Sequence, residues 1–403
     1  MNELDEKKDS GPSAPAQTPT DSAQGEIALS KDGIILHPQA VQNDALDPLN
    51  WSSFQKHTIL AIVMALYFMF TYITTTTVPS FPALQEQYNL SAEEVNWTVA
   101  IPALGLALGP LFWSSFADII GRRVIFISGT IVALAASIGA ALAPNYGGYM
   151  AARFFQGFGV SPAATVGLAI INDVFFEHQR GQKMGLWVLA IDLGLLVGPL
   201  IGGFIGLVSH TWIQWLCVIL FGAILVAEIA FLPETLYPRN FMLAQESTGV
   251  AGAVTDDEKA VSVEGVGNMP DKKAVVRTKK LAFVNVKPVP ALKHPQPWAS
   301  LLRFLMMFKF IAVTITTMVF CYGWYWFILA VTTMFPVALL FLGLIIGSLV
   351  SELFFSGALS DRIVLKAAKA NNGIRTAESR LWLAYPAILL TSGKASDPTH
   401  KLY

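Results

Sequence analysis

The side chains able to do chemistry are few, and most stand inside or between long apolar runs. The densest group is Ser114 to Arg123, where Asp118, Gly121, Arg122 and Arg123 sit between two such runs. Charge of that density does not lie in hydrocarbon. It reads as a short aqueous loop joining two membrane helices, and the two arginines put it on the cytoplasmic side. Its chemistry is electrostatic, and the next charged loop begins at Asp173. Part of the pattern returns at Gly357 to Arg362, which carries Asp361 and Arg362. Two such loops point to duplicated halves.

A second set lies within the apolar runs. Arg153 and Gln156 share one run, Asp192 lies about eight residues into the next, and Glu352 falls in a later one. An ionisable group at bilayer depth costs about 2.5 kcal/mol or more on insertion scales, so each is a functional candidate by default. Two readings of Arg153 stay open: it faces the interior, or it snorkels to nearby water. Asp192 and Glu352 are proton-coupling candidates, or polar locks between helices. Glu228 is expected to reach the headgroups, and Gln156 and Asn172 are polar groups a solute could meet. Tyr322, Trp324, Tyr325 and Trp326 read either as a cavity wall for flat cationic solutes or as an interfacial belt. Gly194, Gly198, Gly202 and Gly206 recur every fourth residue, with Pro199 and Gly203 among them. They leave one helix face bare, so that backbones approach closely, and the proline permits a kink. Asn89-Leu90-Ser91 is a glycosylation sequon on the external side. No spacing fits hydrolytic, phosphate-binding or metal chemistry. The reading is a non-enzyme with neither cofactor nor metal.

These residues need helices to hold them, and the composition supplies helices of one kind. The chain is 54% hydrophobic and only 14% charged over 403 residues. A soluble protein carries nearer a quarter charged residues, so this is a polytopic membrane protein. A net charge of −1 implies no nucleic-acid partner. Cys217 and Cys321 both lie in apolar runs and read as small core residues.

Residues 1–50 are mostly Ser, Pro, Ala, Asp and Gln and read as a disordered cytoplasmic tail. Six spans follow within 51–235: about 58–78, 96–116, 124–143, 149–171, 184–206 and 211–232. A polar cytoplasmic linker occupies 236–303. Within 304–391 two helices are expected, about 310–331 and 338–358, with an external turn at Phe335-Pro336. Leu381 to Thr391 reaches ~16 Å at 1.5 Å per residue, about half of a ~30 Å hydrocarbon core. A polar tail covers 392–403. The expected fold is an all-α integral membrane bundle of about eight full spans plus a stub, with a complete six-helix first half and a partial second.

Taken together, the motifs resemble the major facilitator superfamily. Asp118-x-x-Gly121-Arg122-Arg123 resembles its loop Gly-x-x-x-Asp-Arg-x-Gly-Arg-Arg, with Ser114 in place of the first glycine and Ile119 in place of the first basic residue. Arg153-x-x-Gln156-Gly157-x-Gly159 matches its Arg-x-x-Gln-Gly-x-Gly. The Gly194 to Gly203 stretch resembles the antiporter motif of the drug:proton antiporter branch. Asp47-Pro48-Leu49-Asn50-Trp51, Pro233-Glu234-Thr235 and Leu381 to Pro386 are similar to fungal twelve-span drug and polyamine relatives. The resemblance implies alternating-access transport of small organic solutes, coupled to protons, by a monomer in the plasma membrane. It also implies that the loop charges gate the cytoplasmic side, with Asp173 as a partner for Arg122, and that Arg153 serves proton coupling or helix packing. The alternative reading is a truncated, non-transporting membrane protein.

Overall fold

The computed structural model describes Pro38, Ala40, Asp44, residues 46–237 and Arg239, then residues 302, 304, 306–333, 340–351, 362, 363 and 366. Eight α-helices make up the first stretch. They are α1 (Ser53–Thr75), α2 (Phe81–Tyr88), α3 (Ala92–Ile120), α4 (Arg122–Ala141), α5 (Tyr146–Val160), α6 (Pro162–Val174), α7 (Glu177–Gly206) and α8 (Thr211–Phe231). Two more are described later, α9 (Ile311–Thr333) and α10 (Leu340–Val350). Among the described residues six segments are long and apolar enough to cross a membrane, and they correspond to the six spans expected of the first half. Among the described residues there is no strand. The turn at Phe335-Pro336, Glu352, Asp361 and the stub at 381–391 lie outside the described residues.

Local chemistry sets the helix ends. Ser52 caps α1, accepting from the Gln55 amide. Ser91 and Glu94 form a reciprocal capping box at α3. Asn145 caps α5, accepting from Gly148 N–H at 2.7 Å. Asn89 ends α2 in the left-handed region at φ 54° and is exposed. Pro162 opens α6 directly after α5, so the fourth span is a helix divided at a proline. A single residue, Gly121 at φ +126°, separates α3 from α4. That backbone conformation strains any residue with a Cβ, and a Cβ here would strike the Glu234 carboxylate.

The most buried spans are the first, at 67% of its apolar window, and the fourth, at 61%; the sixth is 28% buried. The first and fourth are therefore the centre of the bundle, and α8 is an edge helix with one inward stripe. α1 lies along α7 and also touches α3, α5, α6 and α8, while α4 lies between α5 and α8. The core runs through Ile59, Val63, Leu66, Tyr72, Phe126, Val166, Ile170 and Phe221. α10 lies against α7.

Candidate functional site

Two polar clusters bind the six-span bundle, one at its arginine end and one in its interior. At the arginine end, Arg122, the first residue of α4, forms an ion pair with Asp173 in the last turn of α6. The centre of this cluster, however, is Glu234. Its carboxylate accepts from the backbone amides of Arg122 at 3.0 Å and Arg123 at 3.2 Å. It also accepts from Thr235 and Leu236, both at 2.9 Å. The first amides of a helix have no intrahelical partner and carry the positive end of its dipole, so an anion there is stabilised. Arg123 extends across to α8 and donates to the Ile229 carbonyl at 2.8 Å.

The chain ahead of α1 closes the same cluster. Asp47 is fully buried and accepts from Arg239 Nη2 at 2.9 Å. Tyr237 donates its hydroxyl to Asp44 at 2.6 Å. Arg239 also reaches the Asp173 carbonyl at 3.4 Å. Lys56 donates to the Leu49 carbonyl at 2.8 Å. A clasp results, made of the chain before α1, the α3–α4 turn, the end of α6 and the chain after α8. Asp118 stays exposed outside it. Arg362 is exposed too.

The interior cluster centres on Arg153, which is fully buried. The snorkelling alternative is thereby set aside. Its guanidinium donates to the Ile73 carbonyl (2.7 Å), the Thr77 hydroxyl (3.2 Å), the Thr98 carbonyl (3.3 Å) and Gln156 Oε1 (2.6 Å). Gln156 then donates to Ser137 Oγ at 2.8 Å and, at 3.4 Å, to Gln214 Oε1. Five helices, α1, α3, α4, α5 and α8, are joined through one planar cation, and every acceptor is neutral. A planar fork with five N–H donors suits this task in a way an ammonium does not. Gln156 is fully buried in the network, so it is not the open cavity group the sequence had offered. Asn172 is half-buried, its carbonyl accepting from Arg180 at 2.6 Å.

The glycine face of α7 docks on α1. A Cβ at Gly194 would strike the Phe68 carbonyl, at Gly198 the Thr75 hydroxyl, and at Gly202 the Thr76 carbonyl. Gly203 and Gly206 have open space instead, so the docked stripe is three glycines long. Pro199 is buried in the same helix. Thr71 fixes the register, donating to the Ile191 carbonyl at 2.6 Å. The next residue, Asp192, is half-buried and within electrostatic reach of Tyr67. Tyr67 stacks on Trp187 with centroids 4.0 Å apart.

One further expectation changes, and one alternative narrows. Glu228 does not extend to a headgroup region; it is fully buried and faces Thr130 on α4. The rotation of α8 decides this, because Gln214, Cys217, Phe221 and Glu228 lie on one stripe. On α9, Tyr322, Tyr325 and Trp326 are exposed and Trp324 half-buried, which encloses no cavity among the described residues. Sequence reasoning gave no role to Asp44, Asp47, Glu234, Tyr237 or Arg239. The available signal was the pair of segments Asp47 to Trp51 and Pro233 to Thr235, acid-bearing stretches next to the first and last spans.

A bundle of six apolar spans, tied by a buried arginine and closed at one end by a charged turn, defines a polytopic membrane protein built around a helical half. The family model described as Major Facilitator Superfamily matches residues 60–393, and the chain belongs to that family. It is similar to Protein HOL1 of Saccharomyces cerevisiae, 29% identical over 54% of this chain and 37% of that one. It is similar to the uncharacterized transporter mfc1 of Schizosaccharomyces pombe, 26% identical over 85% of this chain and 70% of that one. It is also similar to the MFS antiporter QDR3 of Candida albicans, 34% identical over 45% of this chain and 26% of that one. The matched stretch thus covers less than two thirds of HOL1 and of QDR3.

Proposed function

We propose that this chain transports small organic solutes across a membrane by alternating access, coupled to proton antiport. The clasp is the observation that carries the reading. Two connections between spans and the chain segments before the first and after the sixth span are fastened to one another at a single end of the bundle, through ion pairs that can part and re-form. The fastened end is then the cytoplasmic side, in line with the arginines of the α3–α4 turn, and residues 51–235 are the first of two rocking halves. Asp118, exposed at the edge of the clasp, is the loop acid free to meet the second half in one conformation and to release it in the other. The close α1–α7 seam, with Pro199 within it, supports the antiporter reading, as does the printed name of one relative, an MFS antiporter. Asp192, half-buried beside Tyr67, is the cavity acid in this scheme, and Arg153 holds the helices around it.

The test uses the full chain in liposomes with an imposed pH gradient, with spermidine and rhodamine 6G as probes. Gradient-driven flux of either probe, reduced at least tenfold in Asp192→Asn, is the expected result, a loss of about 1.4 kcal/mol. Absence of flux for both probes, with the protein inserted and folded, overturns the reading.

A further inference from the structure

The carboxyl of Glu228 has no use in the scheme above, and its surroundings are unusual for an acid. It is fully buried, in the last turn of α8. Its Oε1 lies 2.8 Å from Thr130 Oγ1. Its Oε2 has no hydrogen-bond partner among the described residues. Thr130 Oγ1 also lies 3.1 Å from the Phe126 carbonyl.

A hydroxyl has one proton to give. With Glu228 ionised, Thr130 must donate to the carboxylate, and the bond to Phe126 is lost. Oε2, sharing the negative charge, is then buried without a donor, at a cost of several kcal/mol. With Glu228 neutral, both contacts become bonds that run one way. Glu228 Oε1–H donates to Thr130 Oγ1, and Thr130 donates to the Phe126 carbonyl. Only an uncharged carbonyl oxygen is left over, at about 1–3 kcal/mol. The geometry therefore suits the acid form.

Few groups face this carboxyl. From α4 the cation directed at α8 is Arg123, seven residues before Thr130 and bonded to Ile229, the neighbour of Glu228. From α1 the titratable group near the buried stripe is Tyr72, close to Cys217 about three turns away. On α7, Asp192 is turned to Tyr67. Beyond the end of α8, Glu234 holds the amides of Arg122 and Arg123. An Arg123 released from Ile229 is the cation placed to turn toward the carboxylate.

We infer that Glu228 is a proton-binding site, neutral and bonded to Thr130 while the clasp is closed, which loses its proton when the clasp opens and Arg123 turns to the carboxylate. Proton binding stands on the geometry alone; its use in coupling rests on the transport reading. The full chain in lipid nanodiscs is followed by infrared spectroscopy from neutral to alkaline pH. The expected result is a protonated-carboxyl C=O band at neutral pH, absent in Glu228→Gln and shifted in Thr130→Val. A spectrum unchanged by Glu228→Gln overturns the site, as does a band indifferent to Thr130→Val should the glutamine variant fail to fold. Glu234→Gln, which loosens the clasp, is expected to move the loss of the band toward neutral pH, and an unmoved midpoint overturns the link to the clasp. Rhodamine 6G flux into liposomes separates the two readings. No gradient-driven flux in the unsubstituted chain defeats transport while the infrared result stands. Flux equally gradient-dependent in Glu228→Gln defeats the coupling role.

Discussion

The interior cluster and the terminal clasp join much the same helices with different chemistry. Around Arg153 one cation is met by carbonyls, a hydroxyl and an amide. Around Glu234 carboxylates meet guanidiniums and helix-end amides. The difference follows depth. In the interior a second charge would add its own desolvation cost, so many neutral oxygens are the cheaper way to hold a cation. At the end of the bundle Asp47 and Glu234 are buried as well, but Arg122, Asp173 and Arg239 keep some exposure, so their pairs can part and re-form. The interior cluster is thus suited to permanence and the clasp to reversal.

The comparison breaks most severely at Arg153. Arg153→Met removes four hydrogen bonds to neighbouring segments, besides the one to Gln156 on its own helix. At ~0.6 kcal/mol for each bond between membrane helices, the loss is about 2.4 kcal/mol. Thermal unfolding of purified protein, followed by tryptophan fluorescence, should show a clear fall in midpoint. Arg153→Lys should recover only part of it, since an ammonium cannot serve the same acceptors.

A smaller effect is expected at Glu234. Glu234→Gln keeps the shape but withdraws the charge from the start of α4, costing roughly 1 kcal/mol. The sign of the difference is what matters here. Limited proteolysis at the α3–α4 turn should accelerate while the overall unfolding midpoint barely moves, and equal shifts in both would remove the distinction between clasp and core.

The ion pair itself can be tested by exchange. Arg122→Asp and Asp173→Arg should each destabilise the clasp, and the double variant should regain about 0.5–1 kcal/mol of coupling in a mutant cycle. Salt gives the mildest probe. Raising ionic strength should speed proteolysis at the clasp, because partly exposed pairs are screened, and should leave an Arg153→Met defect unchanged in size.

How much of this was legible beforehand depends on the distance along the chain. The spans were, because each is a continuous apolar run whose length alone is decisive. The Arg122–Asp173 pair came with the family resemblance, since Arg122 opens α4, Asp173 lies in the last turn of α6, and their apposition depends on the packing. The glycine face of α7 was legible as a stripe, but not its length, because the partner helix α1 ends before Gly206 is reached. The clasp was not legible: Asp44 and Tyr237 are 193 positions apart and become neighbours only when the six spans close on themselves.

By itself the sequence determined that the chain lies in a membrane, that six spans make up its first half, and which family it belongs to. Those are matters of apolar length, turn residues and local motifs. Only the tertiary structure decided what the polar residues face. Arg153 turned inward to four neutral partners, Glu234 capped a helix more than a hundred residues earlier, and Glu228 was carried by the rotation of α8 to Thr130. A hydropathy pattern is indifferent to a helix turned by one residue, but a buried carboxyl is not.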